Sequence, residues 1–316
     1  MKTKAKKQKQ EIDLTTLIER FGNEDKCRTY LEHLRWPDGV RCIRCQSDKI
    51  SRIYERGQFA CDSCDYQFSV KAGTIFHDSH LPLTKWFLAV YLMSEAKKGV
   101  SALQLKRTLG VAYQTAWYLC HRIRAAVADA DTTPLCGTVE CDETFIGGKA
   151  KNMHKKDRER RIQGRGTSGK TMVLAAIQRG GGVRLKVEER RDRETLHAFI
   201  KGEISPKAER IMTDEWEAYQ GIADMNTKHE TVNHSQDEYV RGDVHTNSAE
   251  GVFSLFKRSL VGAYHQVSVK HLERYLDEFS FRFDNRNNPY LFRDRLLRLI
   301  ASENLEYKEL TKEQAA

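Results

Sequence analysis

Proline is scarce in this chain, five residues in 316, and so are unbroken apolar stretches: the longest, Trp86 to Met93, runs eight residues. A membrane-spanning helix needs about twenty, so no segment is expected to cross a bilayer. The first ten residues carry five lysines with no apolar run behind them, which does not read as a secretory signal. A cytoplasmic chain is the expectation. Acidic residues are in deficit, 44 Asp and Glu against 53 Lys and Arg, leaving a net charge of +9 and a pI near 9.1. That balance points toward nucleic acid as a partner. At 316 residues, with about 100–200 per domain, two or three domains with cores of their own are expected. A disulfide-stapled miniature is excluded.

The eight cysteines then need an intracellular explanation. Four fall as Cys42-Ile-Arg-Cys45 and Cys61-Asp-Ser-Cys64 with fifteen residues between the pairs, the spacing of a tetrahedral zinc site with four thiolate ligands. The intervening segment reads as a hairpin with its turn near Gly57, so residues 37–72 form a zinc ribbon. With all four positions taken by thiolates, Zn2+ is structural there and supplies folding free energy to a piece too small for a core. Cys27, Cys120, Cys136 and Cys141 have no such spacing and read as small buried hydrophobes.

Residues 1–36 are a helical lead-in ending at Pro37. Beyond the ribbon, Thr84 caps an apolar helix, and two further helical patterns flank Gly110, placing a helix-turn-helix or an ordinary helical hairpin within 81–131. Seven basic against three acidic residues between Thr84 and Asp131 favour DNA, with Arg122 and Arg124 of the second helix as candidate contacts. From Gly137 the texture changes to three consecutive β-branched runs, followed by alternating helix and strand, the order of a ribonuclease-H-like α/β domain over 136–288. A C-terminal helix and tail occupy 289–316, charged and loose from Glu303 on. The fold class is therefore multidomain α+β.

Alternation places Glu140, Asp142 and Thr144 on one strand face, Asp214 closes another strand, and Glu250 lies on a helix whose Asn247, Glu250, Ser254 and Lys257 share the face opposite the buried stripe. Three acids from separated segments can converge to hold two divalent cations for phosphodiester displacement. Each also has a duller reading: Asp214 as a helix cap, Asn247 and Glu250 as a capping box. Gly164 to Thr171 satisfies a phosphate-loop pattern, which needs a strand before it and a helix after it. Neither context is expected here. Nine Lys and Arg against two acids from Lys149 to Lys170 read better as a basic arm on DNA phosphates, through Lys151, Lys155, Lys156, Arg158, Arg160, Arg161, Arg165 and Lys170.

The segments VECDETFIGGK, GRGTSGKT, MTDEWEAY and VHTNSAEGVFSLFKR closely resemble bacterial insertion-sequence transposases that join an N-terminal zinc ribbon to a DDE catalytic domain. Thirty-five residues separate Asp214 from Glu250, similar to the D-35-E spacing of transposases and retroviral integrases. The resemblance implies Asp142, Asp214 and Glu250 as ligands of two Mg2+ or Mn2+ ions, with Lys257 on terminal DNA and Asn247 as the alternative third ligand. It implies a bacterial, nucleoid-associated enzyme acting as a homo-oligomer on double-stranded DNA, both terminal inverted repeats and target, without a nucleotide cofactor. Two rivals stay open: a zinc-ribbon regulator without catalysis, and a P-loop ATPase acting on DNA.

Overall fold

The computed structural model describes residues 12–128, 133–148, 154–155, 158–159, 162, 168–222, 227–232 and 240–312. The chain divides into two compact units, one of residues 1–130 with 285–316 and one of residues 131–284. Among the described residues no helix is long and apolar enough to cross a membrane.

The first unit begins with α1 (Leu14–Phe21) and α2 (Glu24–Arg35), capped by Asp13 and Asn23, whose side chains accept from Thr16 N and Lys26 N. Each such cap contributes about 1 kcal/mol. The ribbon follows as β1 (Ile50–Ile53), β2 (Gln58–Cys61) and β3 (Gln67–Phe68), with Gly57 in the left-handed region at the turn and Ile50 opposite Cys61. Trp36, Phe59 and Phe68 fill the small space beneath it.

Next come α3 (Leu83–Glu95), α4 (Ala102–Leu109) and α5 (Tyr113–Ala125). Thr84, expected as the cap of α3, lies inside it. The cap is supplied instead by Glu24 of α2, whose carboxylate accepts from Leu83 N at 2.7 Å. Ser101 caps α4, and left-handed Gly110 ends it, three residues before α5 begins. The amide-rich start of α5 presents Tyr113, Gln114 and Thr115 to solvent, and Lys106 and Arg107 of α4 are exposed beside them in sequence. Arg122 and Arg124, expected on DNA, are 3 % and 1 % exposed. Arg122 donates to His77 O and Asn304 Oδ1 and lies over the rings of Trp86 and Tyr118. Carbonyls and aromatic faces receive the Arg122 guanidinium in the interior, and Arg124 is buried as deeply, so neither side chain is open to a duplex.

Residues 303–312, expected to be loose, are not. The helices α9 (Leu291–Ala301) and α10 (Tyr307–Thr311) return to this unit, where Phe292, Leu296, Leu299, Leu305 and Leu310 join one core with Phe21, Trp86, Phe87 and Ile123. Tyr118 Oη donates to Leu305 O, and Gln114 Nε2 reaches Tyr307 Oη at 2.6 Å. The apolar pair Leu305 and Leu310 gains more from burial, roughly 1.5–3 kcal/mol each, than the charged neighbours lose by being held at the surface.

The second unit is built on a five-stranded sheet: β4 (Thr138–Ile146), β5 (Thr171–Gln178), β6 (Val183–Glu188), β7 (Arg210–Thr213) and β8 (Lys228–Thr231) in the order β6-β5-β4-β7-β8. The first three strands pair antiparallel, while β7 runs parallel to β4 and β8 parallel to β7. This is the strand order of a ribonuclease-H-like domain. Its helices are α6 (Arg193–Glu203), α7 (Asn247–Ser259) and α8 (Val269–Asp284). Met172, Leu174 and Ala176 of β5 pack toward α6, and Val173, Ala175 and Ile177 pack toward α7 and α8. Burial on both faces explains why this strand is apolar without alternation.

Candidate active site

In the first unit the four ribbon cysteines meet. Cys42 Sγ lies 3.7 Å from Cys64 Sγ, and Cys45 Sγ lies 3.5 Å from Cys61 Sγ. Four thiolates about 2.3 Å from a tetrahedral zinc stand ~3.8 Å apart, so the donor set fits the ion. Burial works against the Cys42 thiolate, but the N–H groups of Cys45 and Arg44 and the neighbouring thiols pull its pKa down to about 6. Cys27 is buried, with its thiol pushed up to about 12 by burial and by the charge of Glu24. Cys120 and Cys141 are also buried, whereas Cys136 is exposed, contrary to expectation.

In the second unit, Glu140, Asp142 and Thr144 alternate with Val139 and Cys141, which pack toward α6. The face carrying Asp142 therefore looks toward α7. One oxygen from each of Asp142, Glu143 and Asp214 lies within 4.8 Å of the others. Asp142, Glu250 and Lys257 line a single cavity of about 590 Å³ together with Glu143, Phe253 and Arg258. Asp142 is the hinge of the arrangement, adjoining Asp214 on one side and sharing the cavity with Glu250 on the other.

Glu143 is the acid that sequence reasoning missed. Strict alternation sends it to the face opposite Asp142. However, β7 stops at Thr213, and its ladder with β4 reaches only Glu140 opposite Met212. Beyond that point the edge of β4 is uncovered, and two consecutive carboxylates turn into the same space beside Asp214. Glu143 is held by Tyr219 Oη at 2.9 Å and Arg191 at 3.0 Å, and Arg191 stacks on Trp216.

Burial, and after it the crowding of like charges, sets the electrostatics. Burial first, then the charge of Glu143, then Asp214 and Glu250, push the Asp142 pKa up to about 7, against the pull of the Glu143 N–H. Glu143 is raised by burial and by Asp214, with Tyr219 and Arg191 resisting. Oxygen donors packed against their mutual repulsion suit a hard divalent cation.

The duller readings fare unequally. Asp214 Oδ1 accepts from Trp216 N at 3.1 Å, ahead of the short turn Glu217–Tyr219, so it does cap locally. The capping box at Asn247 does not form: Asn247 is exposed at the first position of α7, and Thr246 before it makes no side-chain cap. Lys170 leads into strand β5 rather than a helix, which removes the structural context a phosphate loop needs. Lys155, Arg158 and Lys170 are exposed. Lys151, Lys156, Arg160, Arg161 and Arg165 lie outside the described residues.

Comparison with known proteins adds the family. Residues 134–284 match the model of the ISXO2-like transposase domain and residues 22–67 that of the transposase zinc-ribbon domain. Over 284 residues the chain is 30 % identical to an uncharacterized protein in transposable element ISH50 of Halobacterium salinarum, covering 86 % of this chain and 95 % of that one. The chain belongs to the insertion-sequence transposases. Solved structures similar to this transposase include a simian T-cell lymphotropic virus intasome in complex with a PP2A regulatory subunit, at TM-score 0.31 and 11 % identity over 62 % of this chain and 65 % of that one. A pre-cleavage Mos1 transpososome stands at TM-score 0.26 and 13 % identity over 70 % and 79 %. The fold assignment of the transposase rests on its own strand order, and its zinc ribbon and acidic cluster each lie within a matched domain.

Proposed function

We propose that this transposase binds the terminal inverted repeats of its element, cleaves donor strands with water and joins the freed 3′-hydroxyl ends to target DNA. The observation that carries the reading is the meeting of Asp142 with Asp214 at one side and with Glu250 and Lys257 around one cavity. Asp142, Asp214 and Glu250 would hold two Mg2+ or Mn2+ ions, which when bound activate the attacking oxygen and stabilise the leaving one.

The chain's own side chains supply placement. Lys257 and Arg258 line the cavity with the acids, where they hold a phosphate of the terminal strand by charge and hydrogen bonding. Glu143, pinned by Tyr219 and Arg191, adds a third carboxylate oxygen beside Asp142 and Asp214. Phe253 gives the cavity an apolar wall that limits water around the reacting phosphate. Cleavage and joining both exchange one phosphodiester linkage at a time, so no nucleotide is consumed. The exposed residues at the start of α5, with Lys106 and Arg107 of α4, suit the major groove and the phosphates flanking it. Two element ends have to be processed together, which calls for a homo-oligomer on DNA.

The test incubates the protein with labelled terminal-repeat duplex and Mn2+. Asp142→Asn is expected to lower nicking and joining by at least about a thousandfold, ~4 kcal/mol of transition-state stabilisation, while DNA binding persists. Wild-type rates in a folded Asp142→Asn protein would overturn the assignment.

A further inference from the structure

The start of α7 is capped chiefly by the sheet, with Asn247 N alone met locally, by His245 Nδ1 at 3.3 Å. Glu140 of β4, fully buried, accepts on Oε2 from Ser248 N at 2.7 Å and Ala249 N at 3.2 Å, and on Oε1 from Ser248 Oγ at 2.9 Å. Oε1 also takes Arg179 Nε at 2.6 Å. Arg179 in turn donates to Asp243 O at 2.7 Å and His245 O at 3.0 Å, bracing the segment that leads into the helix. A buried carboxylate is one of the most costly groups to place in an interior, and a local Ser, Asp or Asn would satisfy the same N–H groups at less cost. The longer reach achieves something a local cap cannot. It joins two elements at fixed points, two residues before Asp142 on the strand and two residues before Glu250 on the helix.

We propose that Glu140 is a positioning residue that sets the rotation and height of α7 against β4, and thereby the placement of Glu250 relative to Asp142. The inference rests on the reading of those two acids as divalent-metal ligands. A rotation of α7 by one residue turns every side chain by about 100° around the axis, enough to carry both Glu250 and Lys257 off the cavity. Retaining the helix while losing that rotation would leave the fold intact and the ligand set incomplete.

The test titrates full-length, zinc-loaded protein with Mn2+ alone, following free Mn2+ by electron paramagnetic resonance and recording thermal melting in parallel. Asp142→Asn is expected to abolish binding. Glu140→Gln keeps the size of the side chain but turns an amide toward groups that are all donors. It is expected to weaken the Mn2+ affinity of the folded protein by about tenfold or more, the range seen when an outer-shell partner is lost, in addition to the fall in melting that the lost buried ion pair brings. Ser248→Ala, which loses one bond, should weaken it less. Nicking of a terminal-repeat duplex should fall in the same order, with Glu140→Gln partly rescued at high Mn2+. A merely structural Glu140 would leave the affinity of the folded fraction unchanged however far melting falls, which overturns the proposal. Should Glu140→Gln fail to fold, wild-type affinity in Ser248→Ala overturns it instead. If wild-type protein shows no Asp142-dependent Mn2+ binding, the reading of the acids as metal ligands is what fails.

Discussion

The two units each gather a set of metal-fitting side chains, and they do it in opposite ways. In the ribbon, four soft thiols come from two short knuckles, and the β1–β2 register that seats Cys61 opposite Ile50 is enough to bring them together. In the α/β unit, Asp142, Asp214 and Glu250 stand on a strand, at a strand end and on a helix. Asp142 adjoins Asp214 because β7 runs parallel beside β4, and it shares a cavity with Glu250 because α7 crosses the same face. The first set is closed, its coordination complete within the chain, and so it can only hold structure. The second opens onto a cavity. Local spacing makes a staple, whereas tertiary convergence makes an open cleft.

Four experiments would break or sharpen that contrast. The largest effect is expected from Cys61→Ser, which removes one of four zinc ligands; structural zinc sites of this kind contribute about 10–16 kcal/mol of apparent binding free energy. Zinc content should fall to none and amides of β1 and β2 should exchange freely, while Mn2+ binding at the acids persists; joint loss of both metals would erase the distinction. Leu296→Ala, fully buried in α9, should destabilise the first unit by about 2–5 kcal/mol, read as faster hydrogen exchange along α3 and α5.

A smaller effect concerns pH in the metal-free protein. Asp142 holds its proton up to about 7 when folded, well above the carboxylate range of an unfolded chain. The folded state therefore binds more protons than the unfolded one between roughly pH 4 and 7. Stability should fall as pH rises through that window, and Asp142→Asn or added Mn2+ should flatten the fall in melting temperature. The ribbon offers no such carboxylate crowd. The smallest effect is expected from Tyr307→Phe, which loses the bond to Gln114. A cost of about 0.5–1.5 kcal/mol in denaturant unfolding is expected.

Legibility in the sequence follows the same divide. The ribbon can be read because its ligands and its turn at Gly57 lie within a few residues of one another. Most strands can be read as well, since alternation and glycine punctuation are local signals, and so can the shared face of Glu140 and Asp142. Glu143 could not be read, because its arrival beside Asp214 depends on where a neighbouring strand ends. The role of Glu140 was hidden for a related reason: the helix it caps begins 107 residues later, at Asn247. Arg122 and Arg124 misled because a charged residue on a helix is normally given to solvent. The partners of Arg122 lie on other segments, one of them at Asn304. Leu305 and Leu310, isolated among charged neighbours, likewise gave no hint of the surface they cover.

That return of residues 285–316 to the first unit has a consequence for biosynthesis. A chain emerging from the ribosome completes its sheet while the zinc-bearing half still lacks Phe292, Leu296 and Leu299, and domains generally fold as their own residues become available. The half translated first is thus the last to mature. A chain cut short inside the sheet-bearing segment would leave that core without Phe292, Leu296 and Leu299, an unfinished module with its greasy wall open to water.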